Sequence, residues 1–362
     1  MVGLQSECKI MWNLNPRYNE TEFIHKCHID QACSLMFVAC SDWTEPTPVD
    51  YNPIFPDEQD PSLHEKYEQS LKEYKNRKHT LMLIRFANNP GTTLGEQDFL
   101  RSLPDSVDFV VLTNADNLSV YDKEDISKLK RTGTKFLYYK NLSEFYDQCE
   151  ETENLEEFKT KMNAALKNGE SDEFDGYYVQ FGRAGSMMHV DFFNEVTTAI
   201  REKLAAIGGP KANNGKLVFF DGIVTFTVDY SGRYEEPFID LVDYFVDGQI
   251  VLLESSLEIK LNMSQPVGFY GKMPKEKVIT TATPPTDDGK TGIISREDLD
   301  VIQTSEGMAY IINHFITGLG NNGPLAGVSI YNANEDYLAT DGVTNYRRIR
   351  DAIQKLNPSP IN

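Results

Sequence analysis

The chain has 362 residues, with 35 Lys and Arg against 55 Asp and Glu, a formal net charge of −20. That balance disfavours nucleic acid, whose phosphates need Lys and Arg, and anionic membrane surfaces, and it suits solubility. Hydrophobic residues make up 40% of the chain, enough for the core of one large domain or two medium ones, and no apolar run reaches the ~20 residues of a membrane span.

Met1–Glu7 lacks a basic region followed by an apolar one, so it does not read as a signal peptide. A cytoplasmic protein and a protein whose leader has been removed stay open as alternatives. The five cysteines, Cys8, Cys27, Cys33, Cys40 and Cys149, are odd in number and match no zinc spacing. Buried free thiols are the expectation. Residues 1–65 are expected to form an extension packed on the main domain of residues 66–362. Trp43 in the extension is a candidate for stacking on a sugar and equally a core tryptophan. A Pro- and Asp-rich loop fills 46–62. His64–Lys78 then places Tyr67, Leu71 and Tyr74 at steps of three and four, predicting a helix with a narrow buried face.

From there an alternation sets in. Apolar runs at Thr80–Phe86, Val107–Leu112, Lys135–Tyr139, Tyr177–Phe181, Lys216–Phe220, Tyr244–Leu253, Lys277–Thr281 and Gly327–Tyr331 predict strands. Helical patterns at Asp122–Arg131, Leu155–Lys167, Phe192–Ile207, Thr304–Thr317 and Tyr346–Leu356 lie between or after them. Asp247 and Gly248 interrupt the sixth run. Eight strands separated by helices predict an α/β fold, a (β/α)8 TIM barrel; an open doubly wound sheet is the rival. No Gly-x-Gly-x-x-Gly turn supports the dinucleotide-binding version of that rival. The loop at 282–292 would then lie on the C-terminal face, where barrels bind ligands.

No metal, nucleotide or acyl-transfer pattern stands out. The six histidines make no His-Glu-x-x-His, and His25 and His28 have no third ligand in view. There is no Gly-x-x-x-x-Gly-Lys loop and no Gly-x-Ser-x-Gly elbow. The expectation is no cofactor and no metal.

Phe174-Asp175-Gly176-Tyr177-Tyr178-Val179-Gln180-Phe181-Gly182 resembles the fourth-strand signature of glycoside hydrolase family 18, the chitinases and endo-β-N-acetylglucosaminidases. That signature is Asp-Gly-x-Asp-x-Asp-x-Glu, so its three acids fall on Tyr178, Gln180 and Gly182. Leu103–Asp108, Asp116-Asn117-Leu118, Lys123–Ile126, Gly133-Thr134-Lys135, Gly215-Lys216-Leu217, Asp221-Gly222 and Tyr346–Gln354 with Asn357-Pro358 resemble a gut-bacterial branch of the family. Together they span roughly residues 70–358. Side chains alternate along a strand, so Tyr178, Gln180 and Gly182 share a face, expected to look into the barrel.

The resemblance implies substrate-assisted hydrolysis, in which a Glu protonates the glycosidic oxygen and an Asp two residues earlier orients the substrate's acetamide. Here the first position is Gly182, which has no side chain, and the second is Gln180, which has no charge. General acid catalysis is worth about 10²–10⁴-fold, so hydrolysis is expected to be lost. A Gln-x-Tyr tyrosine on the family's sixth strand is also missing at Gln249-Ile250-Val251. Candidates for holding a glycan at strand ends are Arg85, Asn114, Tyr139, Tyr178, Gln180, Asp221 and Tyr331. By alternation only one of Tyr138 and Tyr139 can face the mouth.

The expected function is non-catalytic binding of an oligosaccharide or glycoprotein glycan containing N-acetylglucosamine. The resemblance implies a bacterial cell-surface or periplasmic setting, often lipid-anchored, with a possible glycan-import complex. One alternative is an active endo-β-N-acetylglucosaminidase or chitinase-like hydrolase with an acid relocated to Glu254, Asp221 or Asp116. Another is a protein-interaction scaffold with its cleft closed.

Overall fold

The computed structural model describes residues 59–92, 95–183, 188–222, 233–247, 274–282, 325–337 and 345–358. Eight strands close a barrel in sequence order. They are β1 (Leu81–Phe86), β2 (Phe109–Leu112), β3 (Lys135–Asn141), β4 (Gly176–Phe181), β5 (Leu217–Gly222), β6 (Tyr244–Asp247), β7 (Val278–Ala282) and β8 (Gly327–Ile330). Every pairing is parallel, including β8 with β1. The eight predicted strands are all present, and the open sheet is excluded. Strand β6 is shorter than the predicted Tyr244–Leu253; residues 248–253 lie outside the described residues.

The α-helices of seven or more residues among the described residues are α1 (Pro61–Asn76), α2 (Val120–Arg131), α3 (Ser143–Cys149), α4 (Leu155–Leu166), α5 (Val190–Ile207) and α6 (Arg347–Leu356). Their ends have local causes. Ser119 Oγ accepts the Asp122 N–H at 3.0 Å while the Asp122 carboxylate accepts the Ser119 N–H at 2.8 Å, closing a capping box at the start of α2. Gly133, with φ +86°, stops that helix in the left-handed region. Asn154 Oδ1 accepts the Glu157 N–H at 3.1 Å at the start of α4. Helix α3 was not predicted, because seven residues carry too little periodicity. Helix α1 forms where expected, but no residue of it is fully buried, and Tyr67 is 47% exposed. Polar contacts hold it instead: Tyr67 Oη donates to Asp105 Oδ2 at 2.6 Å, and Lys75 Nζ to Thr134 Oγ1 at 2.6 Å. The predicted helix at 304–317, the predicted loop beyond its first residue (283–292) and all but the last residues of the predicted extension lie outside the described residues, as do Trp43, His25, His28, residues 249–251 and Glu254. Of the cysteines, Cys149 is described and is a buried free thiol.

Two cores follow from strand alternation. Tyr177, Val179 and Phe181 belong to the layer between sheet and helices, with Tyr138, Phe192 and Val218. Leu83, Phe109, Val111, Leu137, Tyr178, Phe219, Val246 and Ile279 fill the barrel. The register sorts the interior into stacked layers drawn from alternate strands. Leu83, Leu137, Phe219 and Ile279 from the odd strands form an apolar layer. Above it lie Val111, Tyr178, Val246 and Ser329 from the even strands. The next odd-strand layer is Arg85, Tyr139, Asp221 and Thr281, and the interior turns polar there.

At the opposite end of the barrel a repeated clasp joins the strands. Asp108, Asp175 and Asp243 precede β2, β4 and β6. Their carboxylates accept the N–H groups of Met82, Phe136 and Val218, each at 2.8 Å. Lys216 and Lys277, preceding β5 and β7, donate to the carbonyls of Phe174 at 2.6 Å and Val242 at 3.0 Å. Asn357 closes the seam, accepting the Thr80 N–H at 2.9 Å and donating to the Thr80 carbonyl at 2.8 Å. Asp175-Gly176 is thus architectural. Asp175 holds β3, and a Cβ on Gly176 would stand 2.3 Å from the Leu217 carbonyl oxygen.

Candidate functional site

Strand β4 rises from that clasp to the C-terminal mouth, and its inward residues are Gly176, Tyr178 and Gln180, ending at Gly182. Tyr178 is fully buried, Gln180 half-buried and Gly182 exposed. Nothing lies within 4 Å of a Cβ built on Gly182, and its N–H donates to Ser143 Oγ at 3.0 Å. Ser143 was missed in the sequence; the Asn141-Leu142-Ser143 turn leaving β3, where Asn141 Oδ1 caps the Ser143 N–H at 3.0 Å, was its only signal.

Six of the candidate residues meet in one cluster. Asp221 Oδ2 accepts from Tyr331 Oη at 2.5 Å, Tyr178 Oη at 2.8 Å and Gln180 Nε2 at 3.1 Å. The two tyrosine hydroxyls are 3.2 Å apart. Tyr139 Oη donates to Gln180 Oε1 at 2.5 Å, which fixes the direction of the amide. Arg85 Nη1 stands 3.6 Å from Asp221 Oδ2. Its guanidinium carbon lies 4.2 Å from the ring centre of Tyr331 and 4.8 Å from that of Tyr139, within cation–π range. The pair of tyrosines divides as alternation requires: Tyr139 looks inward, and Tyr138 packs in the outer core.

Asn114 is not part of the cluster. Its amide donates to the carbonyls of Asn88 and Asn89 at 3.3 and 3.1 Å and accepts from Asn117 Nδ2 at 2.8 Å, tying two loops together. Asp116 does not face the mouth either. It accepts from the outward-facing Tyr138 at 2.5 Å, Asn168 at 2.9 Å and Lys140 at 2.6 Å, on the helix side of the sheet. There it borders a flank cleft of about 430 Å³ lined also by Lys123, Lys167 and Glu170.

Burial pushes the Asp221 carboxyl above the ordinary carboxylate range, while the Tyr331 hydroxyl, the Arg85 charge and the Tyr178 hydroxyl pull it back. Burial, reinforced by the charge of Asp221, raises the Tyr178 and Tyr331 hydroxyls well above their usual value. Both therefore stay protonated at neutral pH and act as donors. Among the described residues of the mouth, Asp221 is the one carboxylate in the cluster, and one of its oxygens is already spent on three donors. A general acid must reach the glycosidic oxygen within hydrogen-bond distance, and this carboxyl is 2% exposed beneath Gln180 and Tyr331. Among the described residues no group of three or more His, Cys, Asp or Glu is arranged to hold a metal ion, and no helix is long and apolar enough to cross a membrane.

A family model described as glycoside hydrolase family 18, BT1044-like, matches residues 44–201. No curated protein matches the sequence. Among solved structures, an endo-β-N-acetylglucosaminidase from Cordyceps militaris in apo form is similar at 15% identity and TM-score 0.55, over 81% of this chain and 96% of that one. A variant of BT1044 is similar at 19% identity and TM-score 0.55, over 83% and 95%. A chitinase from Bacteroides thetaiotaomicron is similar at 12% identity and TM-score 0.50, over 77% and 97%. At these identities the structural likeness speaks to the fold, a (β/α)8 barrel. Residues 44–201 thus match a glycoside hydrolase family 18, BT1044-like, domain, and the described strands close the barrel seen in those structures.

Proposed function

We propose that this protein is a non-catalytic glycan-binding member of the family. The observation that carries the reading is the mouth of β4: where the family signature has three acids, this chain has a buried Tyr178, a Gln180 amide locked between Tyr139 and Asp221, and a bare Gly182. Neither a proton donor nor a charged partner for an acetamide is left there. What remains suits binding. Half-buried Arg85, Tyr139, Gln180 and Tyr331 form a preorganised polar floor, with donors and acceptors fixed by their neighbours, the kind of surface that orients a ligand. The ligand class is a glycan containing N-acetylglucosamine, by kinship with endo-β-N-acetylglucosaminidases and chitinases. In this reading the protein works at a bacterial cell surface or in the periplasm, beside a glycan-import complex.

The test has two arms. Incubation with high-mannose and complex glycoproteins, followed by mass spectrometry, should release no glycan; release at enzymic rates would overturn the reading in favour of a relocated acid. A glycan array should then give binding; a blank array would leave the barrel as a protein-interaction scaffold.

A further inference from the structure

The link between α1 and β1 carries His79, whose side chain is 8% exposed. Both ring nitrogens face oxygens of groups that only accept, a carbonyl and a carboxylate. Nδ1 lies 2.7 Å from the Arg77 carbonyl, and Nε2 lies 2.8 Å from Asp108 Oδ1. The second oxygen of that carboxylate accepts the Met82 N–H in the clasp under β1. A neutral imidazole has one N–H, and the imidazolium has two. Only the charged ring satisfies both contacts; a neutral ring sets a nitrogen lone pair against an oxygen. The Tyr74 ring lies over the imidazole, with ring centres 4.5 Å apart.

The two oxygens belong to different elements. Arg77 closes the last turn of α1, its N–H donating to the Glu73 and Tyr74 carbonyls at 3.2 and 3.1 Å. Asp108 leads into β2. His79 thus clamps the end of α1 to the barrel floor. No residue of α1 is fully buried, and its ties include Tyr67 to Asp105, Glu68 to Arg131 at 3.3 Å and Lys75 to Thr134. An element with so little buried apolar contact stands at the low end of local stability. Burial disfavours the charged ring, and Asp108 with the Arg77 carbonyl more than offsets it, against the Arg77 charge. Lys75 and Tyr74 on α1 and Tyr244 at the start of β6 face the same Asp108 charge. The end of α6 brings the neutral Asn357 to Thr80.

We propose that His79 is a proton-operated latch: protonated, it docks the C-terminal end of α1 on the barrel, and on losing its proton it lets α1 open locally while the barrel stays closed. The latch lies at the end of the barrel opposite the mouth and stands apart from the glycan-binding reading.

Backbone hydrogen exchange of the full chain, read by mass spectrometry and corrected for intrinsic exchange, tests this between pH 5.5 and 7.5, where Lys75, pushed down to about 8, is still mostly charged. The α1 amides should exchange through a local opening, faster than those of the strands. Their opening constant should be flat below about pH 6.5 and rise above it by up to about tenfold per pH unit. His79→Gln should raise it at pH 6 and abolish its pH dependence. His64→Gln, which removes the neighbour of Glu68 within α1, should keep the wild-type slope. Nitrogen NMR of the His79 ring should find both nitrogens protonated above about pH 6.5, where an ordinary ring is already half neutral. A ring that titrates at or below that value, α1 amides that exchange only together with the strands, or an opening constant indifferent to pH would overturn the latch. The NMR and exchange arms on the unmodified chain decide the matter even where His79→Gln folds poorly.

Discussion

The two halves of the Asp175–Gly182 segment should respond oppositely to mutation. Gly176→Ala would set a Cβ 2.3 Å from the Leu217 carbonyl oxygen and 2.7 Å from its nitrogen, both backbone atoms of the paired strand β5. Neither can swing aside, so β4 and β5 must part locally. Overpacking of this kind costs about 1–3 kcal/mol or more. Asp175→Ala removes the acceptor of the Phe136 N–H and the partner of Lys130 at 3.2 Å. Stranding a backbone donor costs about 1–3 kcal/mol, and the half-exposed ion pair adds little. Gly182→Ala, in contrast, meets nothing within 4 Å and its backbone φ is not in the left-handed region, so its effect should stay within about 0.5 kcal/mol. A domain of this size loses about 2–4 °C of Tm per kcal/mol. Differential scanning calorimetry should then find Gly176→Ala and Asp175→Ala each down by about 2–12 °C, with Gly182→Ala unchanged to within about 2 °C. Equal shifts at positions 176 and 182, or a Gly182→Ala that loses more than the other two, would refute the division of the motif into frame and mouth.

Three further outcomes follow from the same contacts. Stability should dip near pH 8. Burial lowers the His79 pKa, but the hydrogen bond to Asp108, the Asp108 charge and the Arg77 carbonyl outweigh it, so the folded value lies above the ordinary 6.5. The contribution of His79 is therefore complete below about pH 6.5 and fades as pH rises through the raised value. Lys75 runs the other way: burial pushes it down to about 8 from 10.5, against the attraction of Asp108 and Asp105, so stability climbs between those values. Urea midpoints from pH 6 to 10 check this, and His79→Gln should erase the falling limb alone. Tyr178→Phe keeps the buried ring but removes a donor to Asp221, and should cost about 0.5–3 kcal/mol in urea unfolding. Asn357→Ala opens the clasp on Thr80 at both its N–H and its carbonyl, and should cost about 1–3 kcal/mol while leaving glycan binding unchanged.

The alternation of Tyr177–Gly182 was enough to assign Tyr178, Gln180 and Gly182 to the interior and Tyr177, Val179 and Phe181 to the helix side, because the two-residue period of a strand is local. The same period separated Tyr138 from Tyr139. The missing acids needed nothing beyond the order of residues after Asp175-Gly176. Sequence also placed eight strands and the boundaries of α2, α4 and α5 to within two residues; at α2 and α4 the structure shows why the ends are local, with Ser119, Gly133 and Asn154 acting over a single turn. Tertiary structure decided the rest. Tyr331 reaches Asp221 across 110 residues of chain, and Arg85 comes to both from the first strand. Which strand ends converge depends on the shear of the closed barrel, a sum over all eight pairings that no local pattern encodes. Asn114 and Asp116 sit near a strand end as convincingly as Asp221 does, yet the loop they occupy turns them to Asn88 and Tyr138, away from the cluster. Helix α1 has the spacing of a buried face and no fully buried residue, because spacing says which residues share a side and only the packed neighbours decide how deeply that side is covered.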